Sequence, residues 1–314
     1  HRKRRQSTYD NTSIRRSCMK QQEFDKIYEL YEKNIVDIED EHYEKLVDVL
    51  NQPRTLKSNK QRRTFYASDA SKCQRQLGWA VSGIDPSNPF DEPHSLKIFE
   101  LGDAIHETID ARYKKIYGWK IYDEVPGEIY IPKEGTENKN DFLLSYRVDG
   151  LMIRDGGEDI LGIDTDRILL EYKSIADFPF STGKNKDGNV YWYGAKDVPK
   201  TDHFAQLQIG MHGEGAEYGI LHYYNKNDSK EAIHLIKYDA EYTNALIEKL
   251  WNILEEAKKG NTMDRPYVAY PNKKKTGLQK SATIDGKVHK SDWHCLYCNF
   301  RDKCWGLNGF EDIE

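Results

Sequence analysis

Four of the five cysteines in this 314-residue chain form a pattern that ties its front to its end. Cys73 stands alone. Cys295, Cys298 and Cys304 follow more than two hundred residues later, spaced C-x2-C-x5-C. Four thiolates fill the coordination of one zinc ion or one iron–sulfur cluster. A chain that uses them together must bring residue 73 against residues 295–304, with the rest of the domain looped between. Cys18 has no partner at such a spacing and reads as a plain thiol.

Composition narrows the classes. No stretch approaches 18 apolar residues and mean hydropathy is −0.85, so a soluble chain with no membrane role is expected. There is no secretory n-region and h-region, and cysteines in such a chain point to a reducing compartment and metal binding rather than disulfides. The expected location is cytoplasmic. Net charge is −5, which does not itself advertise nucleic acid. Three basic runs, at residues 1–5, 54–63 and 273–275, suggest a local positive face on an acidic protein. The 21 tyrosines suit base stacking or core packing, and packing accounts for most of them.

Residues 1–20 read as a polar tail. Phe24, Ile27, Tyr28, Tyr31 and Ile35 recur at helical steps and predict a helix over 21–50, stopped by Asn51-Gln52-Pro53. Ser68 is a candidate N-cap for a helix through Trp79 that carries Cys73. Another helix is expected over 95–117. Strands are expected at 120–125, 128–132, 143–154 and 168–173. Residues 176–200 have no clear period. A helix over 199–212, strands at 218–224 and 232–238, and a helix capped by Asp239 and stopped by Gly260 follow. Residues 261–290 read as a basic loop. The pattern predicts a mixed α/β fold, a central mixed sheet with helices around it.

Between the cysteines lies a second constellation. Glu171 and Lys173 are two apart in Leu169-Leu170-Glu171-Tyr172-Lys173, so on a strand both side chains emerge on one face. Asp149 ends another apolar run, and if the two strands pair, Asp149 and Glu171 can share a hard divalent cation. Such a cation with a nearby lysine is what metal-assisted phosphodiester hydrolysis requires. His106, on the expected 95–117 helix, offers an imidazole suited to Mn²⁺. Gln206 lies on the helix after the Glu-x-Lys strand. Taken singly, each of these residues reads as an ordinary surface or core side chain.

Taken in order they resemble the RecB-like nucleases of the PD-(D/E)XK superfamily. The likeness is to the iron–sulfur members: CRISPR-associated RecB-like exonucleases, the AddB nuclease domain and phage relatives. It spans about residues 62–306. It rests on Cys73, Gly102 to His106, Val148-Asp149-Gly150, Glu171-Tyr172-Lys173, Gln206 and the C-terminal cysteines.

The resemblance implies a restriction-endonuclease-like core over 62–306; residues 1–61 before it read as a basic tail and helical N-terminal extension, and 307–314 as a C-terminal tail. It implies that His106, Asp149, Glu171 and the Tyr172 carbonyl bind Mn²⁺ or Mg²⁺. Asp149, Glu171, Lys173 and Gln206 would serve catalysis. Cys73, Cys295, Cys298 and Cys304 would hold a [4Fe–4S] cluster joining the two ends of the domain.

The implied activity is metal-dependent DNA exonuclease action on single strands or duplex ends. The contexts would be recombination and repair, phage replication or CRISPR adaptation, in a prokaryotic or phage-infected cell. Partners would be DNA and other proteins of a DNA-processing complex, or further copies of the chain. A non-catalytic iron–sulfur DNA-binding subunit is the alternative. The family's Q-x3-Y motif is only half matched, because Gly210 stands where tyrosine is expected. Lys184, Lys186, Trp192 and Tyr193 are offered as DNA contacts from the 176–200 stretch.

Overall fold

The computed structural model describes residues 64–88, 93–131, 142–156, 161–184 and 186–311. The chain divides into two units at Gln52–Pro53, and all described residues lie in the second. The expected helix over 21–50, the basic runs at 1–5 and 54–63, and Cys18 lie outside them.

A six-stranded mixed sheet forms the centre. Its strands are β1 (Phe65–Tyr66), β2 (Trp119–Tyr130), β3 (Phe142–Arg154), β4 (Arg167–Ile175), β7 (Tyr218–Asn225) and β8 (Glu231–Lys237). The order is β1-β3-β4-β7-β8, and β2 lies along the other edge of β3. β4 and β7 run parallel; β2–β3, β3–β4 and β7–β8 are antiparallel. The sequence reads two strands here, 120–125 and 128–132; the structure has one continuous strand over Trp119–Tyr130, with Pro126 opposite Arg147, and residue 132 lies outside the described residues. An edge strand tolerates a proline because one side of its backbone needs no partner.

Helices cover both faces. α4 (Thr201–Glu214), α5 (Ala240–Lys258) and α1 (Gln74–Val81) pack on one side through Ala205, Leu207, Ile247, Leu250 and Leu77, against Leu144, Val148, Leu169 and Leu221. On the other side α2 (Pro93–Tyr113) sends Ile109 onto Met152, Ile168, Leu170 and Ile220. β4 is buried on both faces, which is why it reads as the apolar run Ile168-Leu169-Leu170. Asp239 caps α5 by accepting from the Tyr242 N–H at 3.0 Å, as expected, and Gly260 (φ 78°) follows the end of that helix.

Several boundaries differ from the sequence reading. Cys73 is not inside a helix: it is the extended N-cap residue of α1 (φ −60°, ψ 129°). A short 3-10 turn, Ala67–Asp69, precedes it. The fully buried Asp69 accepts from the Tyr66 N–H at 2.8 Å and from Lys72 at 3.0 Å, which fixes the turn and delays the helix. α2 ends at Tyr113 rather than 117.

Residues 176–200 contain one helical turn, α3 (Asp177–Phe180), and a hairpin of β5 (Gly183–Lys184) with β6 (Val190–Trp192). Trp192 is occupied inside this hairpin: its ring packs on Phe178 at 4.6 Å and its indole N–H donates to the Ser181 carbonyl at 2.8 Å. Lys184, Lys186 and Tyr193 are exposed.

The expected basic loop 261–290 holds two small hairpins, β9 (Tyr270–Pro271) with β10 (Leu278–Gln279), and β11 (Ser281–Ile284) with β12 (Lys287–Lys290). Asp285 (φ 50°) and Gly286 (φ 75°) make the two-residue turn of the second, a geometry that Asp-Gly favours.

Candidate active site and cysteine cavity

β3 and β4 pair only from Gly150↔Leu170 to Ile153↔Arg167, then part. At the parting point the Tyr172 N–H, which would otherwise bond to β3, donates to the Asp149 carboxylate at 2.6 Å. Asp149 thus takes the place of a backbone partner. The N–H and C=O of one strand residue point to the same edge, so the Tyr172 carbonyl emerges beside Asp149.

The alternation of β3 breaks here as well. Tyr146 and Val148 pack under α4, whereas Met152 packs under α2. Gly150 faces Leu170 and Tyr172 on the α2 side. Two residues that should share a face therefore point opposite ways across Asp149. Opposite Asp149 in β2, Glu124 has φ 47°, a left-handed backbone within a strand. A local irregularity of this kind re-aims a side chain out of the pleat.

Glu171 and Lys173 share the α4 side of β4. Glu171 is 1% exposed. Its Oε1 accepts from Lys173 Nζ at 2.5 Å and from Gln206 Nε2 at 2.7 Å, and Lys173 donates to Gln206 Oε1 at 3.1 Å. Burial pushes the Glu171 carboxyl up, to about 8, against the pull of the Lys173 ammonium. Burial pulls Lys173 down, but Glu171 and Asp149 outweigh it and hold the ammonium above its usual range. His106 reaches in from α2, with Nδ1 3.7 Å from Asp149 Oδ1 and its ring edge-on to Tyr172 at 5.9 Å. Burial lowers its pKa, which keeps a lone pair free. A cation bound here would favour the ionised form of Glu171, and the set could then offer it two carboxylates, one neutral imidazole and one carbonyl, with an ammonium beside them. Among the described residues, no three His, Cys, Asp or Glu side chains are gathered tightly enough, as they stand, to enclose an ion.

Gly210 has a packing reason. A Cβ there would lie 2.9 Å from Val148 Cγ1 and 3.0 Å from Leu169 Cδ1. The close approach of α4 to the sheet brings Gln206 within reach of Glu171 and leaves no space for the tyrosine that a Q-x3-Y motif would put at position 210. His203, one turn before Gln206, was not singled out in the sequence. It is neutral: burial, with Lys173 and Lys200, pushes its pKa down to about 4, and its Nδ1 meets the Tyr223 hydroxyl at 3.1 Å. The i, i+3 spacing to Gln206 is the signal that could have found it.

The four cysteines line one cavity, walled by Trp79, Tyr267, Phe300 and Trp305. Cys295 sits in α6 (Trp293–Leu296) and Cys304 ends α7 (Arg301–Cys304). None is in a disulfide. The Phe300 N–H points at Cys298 Sγ at 3.4 Å. Burial pushes the thiols of Cys295 to about 12 and of Cys298 to about 11. Thiolates in this cavity need a cation to offset their charge. The two ends of the domain also meet through polar bonds: Asn88 N–H to Asn299 O at 2.7 Å, Gln76 to Asn299 Oδ1 at 2.9 Å, and the Asp302 N–H to Asn88 Oδ1 at 3.0 Å.

No family model and no curated protein sequence matches the chain. Several solved structures are similar in outline. The crystal structure of SSO0001 is 18% identical over 84% of this chain and 96% of its own, with a TM-score of 0.43. An alkaline exonuclease (LHK-Exo) from Laribacter hongkongensis is 14% identical over 64% of this chain and 90% of its own, at 0.39. The same exonuclease in complex with dAMP is 17% identical over 63% and 89%, at 0.40. At TM-scores below 0.5 these likenesses leave the activity to be read from the site itself.

Proposed function

We propose that this chain is a divalent-metal-dependent deoxyribonuclease, an exonuclease acting on single-stranded DNA or duplex ends. The observation that carries the reading is the convergence of His106, Asp149, Glu171, Lys173 and Gln206 where β3 and β4 part.

Mn²⁺ or Mg²⁺ would be held by Asp149, Glu171, His106 and the Tyr172 carbonyl. Bound there, it would polarise a phosphate and acidify a water molecule. The chain's own groups have separate tasks. Asp149, fixed by the Tyr172 N–H, presents its other oxygen towards His106. Lys173 is charged and still partly exposed, so its ammonium can hold a phosphate oxygen or guide a proton of the attacking water. Gln206 donates to Glu171 and accepts from Lys173, which orients both.

The four cysteines, in this reading, hold a [4Fe–4S] cluster with a structural role. Supporting it are the shared cavity, the aromatic walls and the N–H aimed at Cys298.

The test is end-labelled single-stranded and blunt duplex DNA incubated with the full chain and Mn²⁺ or Mg²⁺. Progressive shortening that Asp149→Asn abolishes is expected. DNA bound but uncut with either metal would replace the nuclease by the non-catalytic DNA-binding subunit.

A further inference from the structure

The sheet has a gap next to the carboxylates. β2 covers one edge of β3 throughout. On the other edge, β1 pairs at Leu144 and Ser145 and β4 pairs from Gly150 onward. Between β1 and β4, residues 146–149 have no strand partner on this second edge among the described residues. A cleft fills this gap, lined by Tyr66, Ser68, Ser145, Arg147 and Gln206 among others. It begins at the Gln206 side chain, which also holds Glu171, and runs towards β1.

The lining of the cleft differs from the rest of this acidic chain. It contains no carboxylate. Tyr66 stands opposite Ser145 in the parallel β1–β3 register and is 52% exposed, while its neighbour Phe65 is fully buried. Phe65 anchors β1 in the core and sets the Tyr66 ring facing the cleft mouth. Arg147 follows Ser145 on the same side of β3, two residues before Asp149. Its ion-pair partner among the described residues, Glu124 at 3.6 Å, is as exposed as Arg147 itself, so the pair is weak and readily given up to a phosphate. Steps of two along a strand are about 6.6 Å, comparable with the separation of successive phosphates in an extended nucleic-acid strand. An aromatic platform, a guanidinium, two hydroxyls and a strand edge with no partner among the described residues together match what a single strand presents: bases to stack on, phosphates, and polar groups on its edges.

We propose that this cleft is the path of a single DNA strand running from the carboxylate site, with a base stacked on Tyr66 and a phosphate on Arg147. The inference rests on the nuclease reading for the identity of the strand, but the binding it describes is measurable without cleavage.

The experiment uses the full chain in EDTA and a labelled single-stranded oligonucleotide, read by fluorescence anisotropy across a salt series. Tyr66→Ala should weaken binding by about tenfold or more, and Tyr66→Phe should keep wild-type affinity, because only the ring face is used. Arg147→Gln should reduce the slope of log affinity against log salt by about 0.7, the contribution of one phosphate on a single strand. An oligonucleotide carrying 5-iodouracil should crosslink to Tyr66 under ultraviolet light, which does not depend on any variant folding. Unchanged affinity and salt slope in folded Tyr66→Ala and Arg147→Gln, or crosslinks elsewhere, would overturn the path. So would a blunt duplex that competes as well as the strand. If wild-type protein fails to cut with any metal while Tyr66 and Arg147 still govern binding, the nuclease reading falls and the cleft stands; cutting that depends on Asp149 but ignores both residues gives the reverse.

Discussion

The backbone N–H of Tyr172 is held by the carboxylate of Asp149 at 2.6 Å, just beyond the last β3–β4 pair, Gly150↔Leu170. This contact keeps the strands apart and fixes one carboxylate beside another. Asp149→Asn keeps a carbonyl oxygen for that N–H but removes the charge a cation needs. Metal-dependent DNA cleavage should fall to background while the thermal midpoint moves little. Asp149→Ala should lose both cleavage and some stability, because the N–H is then left without its acceptor, at a cost of about 1–3 kcal/mol where water does not replace it. Wild-type cleavage rates in both variants would sink the site assignment.

Gln206 touches Glu171 and Lys173 at once. Gln206→Ala leaves the proposed metal donors in place but frees their orientation. Activity or metal affinity should drop about 10- to 100-fold, the usual effect of removing a group that orients a ligand. Titrating Mn²⁺ against the cleavage rate separates the two. A variant indistinguishable from wild type would reduce Gln206 to a packing residue.

Placing the tyrosine of a Q-x3-Y motif at position 210 should be harmful here. At Gly210 even a Cβ meets Val148 at 2.9 Å and Leu169 at 3.0 Å. Overpacking of a core typically costs about 1–3 kcal/mol, and a phenol ring needs far more room than a methyl. Gly210→Tyr should unfold in urea at a much lower midpoint than wild type. Gly210→Ala should fall between, since better helix propensity offsets part of the clash. Equal midpoints for all three would mean that α4 does not lie this close to the sheet.

These cases show what the sequence reveals and what it hides. The i, i+2 spacing of Glu171 and Lys173 places them on one face wherever that strand lies, so it was legible. The apolar run before them, and the Asp239 cap, were legible for the same local reason. The side-chain direction at Asp149 was not. It depends on a break in the pleat shared with Glu124 on another strand, and no period within β3 announces that. Tyr66 and Arg147 were equally hidden, because their cleft exists only where two strands fail to cover a third. The Asp285-Gly286 hairpin is a different matter. Its turn signal was present, but the surrounding lysines made the segment read as a loop.

His203 makes stability depend on pH. In the folded chain burial, with two lysines, holds it neutral down to about 4, whereas unfolded histidine titrates near ~6.5. Between those values the unfolded chain binds the extra proton, so stability rises with pH across that window. Acidifying from ~6.5 towards 4 should therefore cost up to about 1.4 kcal/mol per pH unit from this residue. Urea unfolding measured at several pH values should show a flatter dependence for His203→Gln. The same slope in both proteins would show that His203 is protonated in the fold.

The cysteine cavity gives the last test. Protein purified without oxygen should be brown and hold about four irons per chain if the cluster is [4Fe–4S]. Cys73→Ser, Cys295→Ser, Cys298→Ser and Cys304→Ser should each lose the colour. Cys18→Ser should keep it. Each loss should also lower stability, because metal–sulfur bonds across the cavity, in this reading, would close the long loop from α1 to α7 and so carry part of its entropy cost. The drop should stop short of unfolding. Asn88, Gln76 and Ser87 already bond to Asn299, Asp302 and Lys303, and these contacts need no metal. A Cys73→Ser variant that is colourless, folded and less stable is thus the expected outcome. Colourless wild-type protein carrying one zinc and no iron would replace the cluster by a zinc site and leave the carboxylate site as it stands.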